Sequence, residues 1–227
     1  MTMDETLTSR LLAAIEPHVV FDGWSETAFK AACADLGLDP AEARLALPRG
    51  ATDLAVAFHK AGDRNMLRAL AEQDLNALRF RDRIALAVRL RLQAVPDREI
   101  VRRGTALFAL PHLAAEGAAL IWGTADAIWT ALGDTSDDLN WYSKRTILSG
   151  VYAATVLYWL GDDSPDHSAT DAFLDRRIEG VMQFEKLKSS LRSNALFKPF
   201  MAGSDRLARA VRKPDMATDL PERRSRE

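Results

Sequence analysis

Two stretches of this chain, residues 105–133 and 146–161, are apolar around most of a helical circumference. The first carries only His112, Glu116 and Asp126 as acidic or basic side chains, and the second carries none. The second falls short of the roughly 20 apolar residues a bilayer span needs, and the first is interrupted by charge. Helices apolar all round have to be enclosed by other helices, so the pair predicts the interior of a helical bundle.

Helical patterning runs through the remainder. Apolar and polar residues seldom alternate between turn signals, and β-branched clusters are scarce, so no sheet is expected. Residues 5–20 place Leu7, Leu11, Leu12 and Ile15 on one face before a break at Asp22-Gly23. Ser25 is positioned to cap a helix over 26–36, which Gly37 stops. Asp39-Pro40 opens a short third helix, with proline at the first helical position, that ends at Pro48-Arg49-Gly50. A long amphipathic helix is expected over 52–78, with Gly62 as its weak point, then helices over 82–95, 98–110 and 111–132. Asp137 or Asp138 caps the next, which runs to residue 160, and the last starts near Ser168 and passes Glu185. The layout is all-α: a three-helix head over 1–50, a larger bundle over 51–185, an amphipathic segment over 186–213 and a charged tail over 214–227.

Composition narrows the class. With 227 residues, 48% hydrophobic and 27% charged, this is a globular chain. The single cysteine, Cys33, excludes a disulfide framework, and inside a helix without a basic neighbour it reads as a small buried residue. The start, Met1-Thr2-Met3-Asp4-Glu5, matches neither a secretory signal nor a transit peptide. The net charge of −2 hides a split: residues 1–175 hold 17 Lys/Arg and 25 Asp/Glu, whereas residues 176–227 hold 13 and 7.

Catalytic motifs are missing. The histidines at 18, 59, 112 and 167 form no His-Glu-x-x-His or Glu-x-x-His pattern, and no glycine-rich phosphate loop is present. His112 and Glu116, four residues apart, read as a buried hydrogen-bonded pair, and His167 near Asp163 and Asp166 as a solvated loop residue. The expectation is a non-enzymatic protein without metal or cofactor.

A three-helix head on a helical bundle resembles a helix-turn-helix repressor, but charge opposes that use. Residues 1–60 offer Arg10, Lys30, Arg44, Arg49 and Lys60 against nine acidic side chains, and the third helix offers only Arg44 to a phosphate or base. Binding to DNA rests on neutralising phosphates with Lys and Arg, so no nucleic-acid partner is expected. A ligand-sensing regulator of the TetR type is the alternative reading.

One motif is unusual. Asp138-Leu139-Asn140-Trp141-Tyr142-Ser143-Lys144-Arg145 places two large aromatics in the first turn of a helix beside a polar loop. Each either caps the core or stands exposed as an anchor for a protein partner. Successive helix positions point about 100° apart, so one narrow face cannot bury both.

This run resembles the Coq-nine family of ubiquinone-biosynthesis accessory proteins. So do its sequel Thr146-Ile147-Leu148-Ser149-Gly150-Val151-Tyr152, the turn Asp163-Ser164-Pro165-Asp166, the stretch 129–133 and the helix containing Phe173-Leu174. The resemblance extends loosely over residues 7–200. It implies a TetR-like fold that has lost DNA binding and a bundle cavity that takes an isoprenoid lipid or quinone precursor. It also implies a docking patch for the di-iron demethoxyubiquinone hydroxylase, a C-terminal amphipathic helix on the membrane surface, and presentation of the lipid to the hydroxylase there. Asp138, Asn140, Trp141 and Tyr142 would belong to the patch. Leu107, Phe108, Leu113, Leu120, Ile121, Trp122, Leu148, Val151 and Tyr152 are candidates to line the cavity, and ordinary core packing needs the same residue types.

The basic C-terminal end fits the membrane reading. Leu187, Leu191, Leu196, Phe197, Phe200 and Met201 are interleaved with Lys188, Arg192 and Lys198, as in interfacial helices on anionic lipid. Pro199 is expected to split the segment into helices over 186–198 and 204–212. The expected location is cytoplasmic and peripheral on the inner membrane for a bacterial protein, or the mitochondrial matrix side for a mature eukaryotic form. A homodimer through helices 138–160 and 168–185 is expected by analogy with TetR-like bundles.

Overall fold

A computed structural model describes residues 3–136 and 139–193, with side chains for 6–136 and 140–181. Among the described residues the chain forms nine α-helices and no strand: α1 Met3–Asp22, α2 Glu26–Asp35, α3 Pro40–Ala46, α4 Ala51–Ala71, α5 Phe80–Gln93, α6 Arg98–Phe108, α7 Ala114–Ala131, α8 Leu139–Leu160 and α9 Ser168–Ser193.

Local chemistry sets the boundaries. Ser25, in extended backbone, accepts from Ala28 N at 3.2 Å and starts α2. Asp39 accepts from Ala41 N at 2.8 Å with Pro40 at the first helical position of α3. Asp97 accepts from Glu99 N at 2.7 Å and starts α6. The long helix expected over 52–78 ends at Ala71. Asp74 instead caps a separate 3₁₀ turn, Leu75–Ala77, by accepting from Asn76 N at 3.1 Å. α4 runs unbroken through Gly62, which sits mid-helix and buried.

Two apolar clusters hold the helices together. Leu11, Ile15 and Val19 repeat every four residues along α1 and pack with Phe29 and Cys33 of α2, Leu54 of α4 and Ile100 of α6. Met66 and Leu70 of α4, Val88 of α5, Ile128 of α7, Leu148 and Tyr152 of α8 and Leu174 of α9 form the second. Ion pairs tie α5 to α9: Arg89 reaches Asp171 at 2.8 Å and Asp175 at 2.9 Å, and Arg81 pairs with Glu179.

The two apolar helices are less enclosed than their composition predicts. α7 shows Ala115, Ala118, Ala119 and Gly123 to solvent, and α8 shows Thr146, Gly150, Leu157 and Tyr158. Most outward positions carry small residues, which raise mean hydropathy while exposing little apolar area. Leu157 (61% exposed) and Tyr158 (39%) are the large exceptions. No helix among the described residues is long and apolar enough to cross a membrane.

Candidate functional site

An apolar cavity of about 390 Å³ lies between α4, α5, α6, α7 and α8. Its volume is within the range of small-molecule sites. Trp24, just ahead of α2, closes it from the head side by donating Nε1 to Ile100 O at 3.3 Å and packing its ring 5.6 Å from Phe58. Buried Ile100, Leu92 and Tyr152 line one end, while exposed Thr105, Ala109, Ala118 and Leu157 line the other.

The buried end is polar. Arg91, 3% exposed, donates Nε to Asp63 Oδ1 at 2.7 Å and Nη2 to the carbonyl of His59 at 3.1 Å. Its guanidinium lies so close to Gly62 that a Cβ there would stand 2.5 Å from Nη1. A side chain at this point would push the guanidinium off Asp63. Thr124 Oγ1 donates to Asp63 Oδ1 at 2.9 Å and lies 2.9 Å from His59 Nε2. Burial, with the Arg91 charge beside it, pushes the His59 imidazole down to about 4, so it is neutral at physiological pH.

Of the nine residues named as cavity candidates, Phe108, Leu120, Ile121 and Tyr152 line this space. Leu148 and Val151 line a second apolar cavity of about 270 Å³ with Phe80, Trp129 and Ile178. Leu107 packs on the α1–α4 cluster and Leu113 is buried outside both cavities. Trp122 belongs to an aromatic patch instead. Trp24, His59 and Arg91 also line the first cavity and carry no local sequence signal for it.

That patch is built where α7 hands over to α8. Gly133 takes φ +79°, and Gly133 N and Asp134 N bond back to Thr130 O (3.1 Å) and Trp129 O (3.0 Å), a Schellman stop for α7. The turn delivers Asp134 inward. Its carboxylate accepts from Lys144 Nζ at 2.7 Å, Arg145 Nη1 at 2.9 Å and Ser136 Oγ at 2.8 Å. Burial alone would raise the Asp134 pKa; the hydrogen bonds from Lys144, Arg145 and Ser136 outweigh it and hold the carboxyl well below the usual carboxylate range. Arg145, 2% exposed, also donates Nε to Asp126 at 2.5 Å and Nη1 to Trp141 O at 3.2 Å.

On this base stand the aromatics. The Trp141 and Tyr142 rings meet edge-on at 4.8 Å, and Trp122 lies 6.0 Å and 6.4 Å from them. Both motif aromatics are half-buried, so each packs inward while keeping an outward face. Asn140 is exposed beside them. Asp138 lies outside the described residues. So do the side chains of Leu187, Lys188, Leu191 and Arg192, although α9 runs as one helix through those positions. Leu196, Phe197, Lys198, Phe200 and Met201, with the expected break at Pro199, also lie outside the described residues.

The histidine readings divide. Glu116 does not pair with His112: it takes the Arg49 guanidinium in two bonds, 2.7 and 2.9 Å, and His112 is exposed ahead of α7. His167 is exposed, with Trp159 6.1 Å from its ring. Cys33 is fully buried. Among the described residues no group of three or more His, Cys, Asp or Glu side chains converges.

Fold and site together define the class, a TetR-like helical bundle with an internal apolar cavity and an ordered aromatic patch. The chain is similar in structure to the TetR transcriptional regulator from Nitrosomonas europaea ATCC 19718, with a TM-score of 0.64 over 77% of this chain and 97% of that one. At 18% identity the likeness shows the fold alone. The family model for COQ9 matches residues 114–185. The chain is 29% identical to the human mitochondrial ubiquinone biosynthesis protein COQ9 over 199 residues, 84% of this chain and 62% of that protein. It is 30% identical to the Xenopus tropicalis COQ9 over 188 residues, 79% of this chain and 59% of that protein. A probable mitochondrial coq9 from Dictyostelium discoideum matches at 28% over 74% of this chain and 57% of that protein. The chain thus spans about three fifths of these relatives, and its resemblance to the Coq-nine family is borne out. The matched stretch contains all the aromatics of the patch but only the α7 and α8 walls of the cavity.

Proposed function

We propose that this is a non-catalytic accessory protein of ubiquinone biosynthesis. It holds an isoprenoid quinone intermediate in the α4–α8 cavity and presents it to the demethoxyubiquinone hydroxylase at a membrane surface. The observation that carries the reading is the nearly apolar 390 Å³ cavity in the same bundle as an aromatic patch that lies within the COQ9-matched residues. Burying a prenyl chain there contributes about 25 cal/mol per Å² of apolar area removed from water. Trp141 and Tyr142, both half-buried and packed on Trp122, with Arg145 over the Trp141 ring, suit a partner-docking anchor. The basic, apolar-interleaved C-terminal end supplies the membrane contact, and the protein works peripherally at that surface. The α8–α9 face supplies a dimer contact, with Tyr158 stacked on Phe173 at 4.4 Å and Leu157 exposed beside it.

The patch assignment is tested by capture of the purified hydroxylase. Trp141→Lys is expected to abolish capture with helicity retained, and capture undiminished by that change overturns the assignment.

The TetR-like fold keeps a regulator reading in view, and the head argues against it. Arg44 is tied to Glu26 and the Pro48 carbonyl, Arg49 to Asp53 and Glu116, and Lys30 lies 3.6 Å from Glu26. α3, in the place of a recognition helix, exposes Leu45 at 87%. A salt-dependent shift of duplex DNA at physiological ionic strength is the result that favours the regulator.

A further inference from the structure

The buried end of the cavity is polar without carrying net charge. Asp63 and Arg91 neutralise each other at 2.7 Å. Thr124 spends its one proton on the Asp63 carboxylate, the strongest acceptor near it, so His59 Nε2 is the donor in the His59–Thr124 contact and Nδ1 is the bare ring nitrogen. The imidazole carries no charge at neutral pH because burial and the neighbouring Arg91 oppose its protonation. The groups come from four helices: His59 and Asp63 from α4, Arg91 from α5, Thr124 from α7 and Tyr152 from α8. His59, Arg91 and Tyr152 line the cavity. A site that serves only packing does not need an ion pair, a hydroxyl and a neutral imidazole along the buried wall of an apolar space.

We infer that the His59–Asp63–Arg91–Thr124 cluster is a head-group filter. It accepts an uncharged head that can donate a hydrogen bond to the bare His59 nitrogen, such as a phenol or alcohol, and rejects a carboxylate or phosphate. The inference rests on the reading above that the cavity takes a lipid, and adds which end of the lipid enters first and what it carries. The head goes to the buried end, where hydrogen-bonding groups replace its water, and the tail runs toward Ala118 and Leu157. An anionic head meets no spare positive charge there. Arg91 is already committed to Asp63 and to the His59 carbonyl, and a second carboxylate faces the repulsion of the first.

The test is binding of two probes that share a twelve-carbon tail, dodecan-1-ol and laurate, to the full chain at pH 8. Fluorescence of Trp24 and Trp159, which line the cavity, reports it. The alcohol is expected to bind at least about tenfold more tightly, as one uncompensated buried charge implies. Asp63→Asn leaves Arg91 unpaired and is expected to shift the preference about tenfold toward laurate. If that variant does not fold, His59→Leu keeps the ion pair and is expected to weaken dodecanol about fivefold with laurate unchanged. Laurate binding as tightly as dodecanol overturns the filter and leaves the lipid site standing, as does a His59→Leu variant that alters neither affinity. Failure of both probes to bind overturns the lipid site itself, and the filter with it.

Discussion

The Arg145 guanidinium carbon lies 4.0 Å from the centre of the Trp141 ring. The same guanidinium is fixed from behind by Asp134 and Asp126. The aromatic of the surface motif is therefore seated on a cation held in place by one buried counter-charge, Asp134, and one half-exposed one, Asp126. Such a seat sets the ring's orientation before any partner arrives and lowers the ordering cost of docking.

Asp134→Ala removes the buried carboxylate under this seat. Breaking a buried pair from one side leaves a charge poorly compensated, and Asp126 remains to Arg145, so a loss of roughly 3 kcal/mol is expected. For a chain of this size that is a fall of roughly 10 °C in melting temperature, read by circular dichroism. A change under 2 °C, on the order of a surface substitution, contradicts the seat.

Gly62→Ala tests the contact between α4 and α5. On helix propensity alone it stabilises by up to about 1 kcal/mol. Here the new Cβ meets the Arg91 guanidinium at 2.5 to 2.8 Å and displaces it from Asp63. Net destabilisation of about 1–3 kcal/mol is expected in a denaturant titration, and a gain in stability contradicts the placement of Arg91.

Acidification should weaken the fold before the buried carboxylates of Asp134 and Asp162 are titrated. The folded His59 value, about 4, lies below the unfolded value near 6.5, so the unfolded chain takes up a proton first and stability falls as pH drops below 6.5. Between pH 7.5 and 5.5 the loss is about 1.5 kcal/mol, or roughly 3–6 °C. Asp134 and Asp162 act in the other window. Their pKa values are depressed in the folded protein, so what they contribute is present above the unfolded carboxylate value and lost only below about pH 4. Melting at pH 7.5 and 5.5 is the check: His59→Gln should fall less than the wild type by about that amount, and equal falls contradict it.

Tyr158→Glu probes the α8–α9 face. Tyr158 is 39% exposed and stacked on Phe173, with the Arg177 guanidinium 4.9 Å over the Phe173 ring. If this face joins two copies, light scattering coupled to gel filtration shows a dimer for the wild type and a monomer for the variant. A wild-type monomer contradicts the dimer.

Much of the fold could be read from local chemistry. Ser25 and Asp39-Pro40 mark helix starts by capping and ring geometry, and the four-residue repeat of Leu11 and Ile15 marks a buried face. The Trp141-Tyr142 pair stood out because bulky aromatics rarely open a helix beside a polar loop. The cavity was only partly legible. Phe108, Leu120, Ile121 and Tyr152 sit in apolar runs, but His59 and Arg91 come from segments whose periodicity reports only an amphipathic helix, and Trp24 from the turn ahead of α2. Their meeting depends on long separations in sequence, such as the 76 residues between Trp24 and Ile100, which no local pattern records. The same limit explains Glu116. A spacing of four suggested His112, and the tertiary fold supplied Arg49 from 67 residues away.

The central claim is that the α4–α8 cavity carries a quinone-type lipid. Native mass spectrometry of the purified full chain, incubated with a bacterial lipid extract containing ubiquinone intermediates, tests it most directly. The account predicts a bound species whose mass, after release, matches an isoprenoid quinone or its precursor. A spectrum showing only the ligand-free chain, with the same extract and intact helicity, contradicts it.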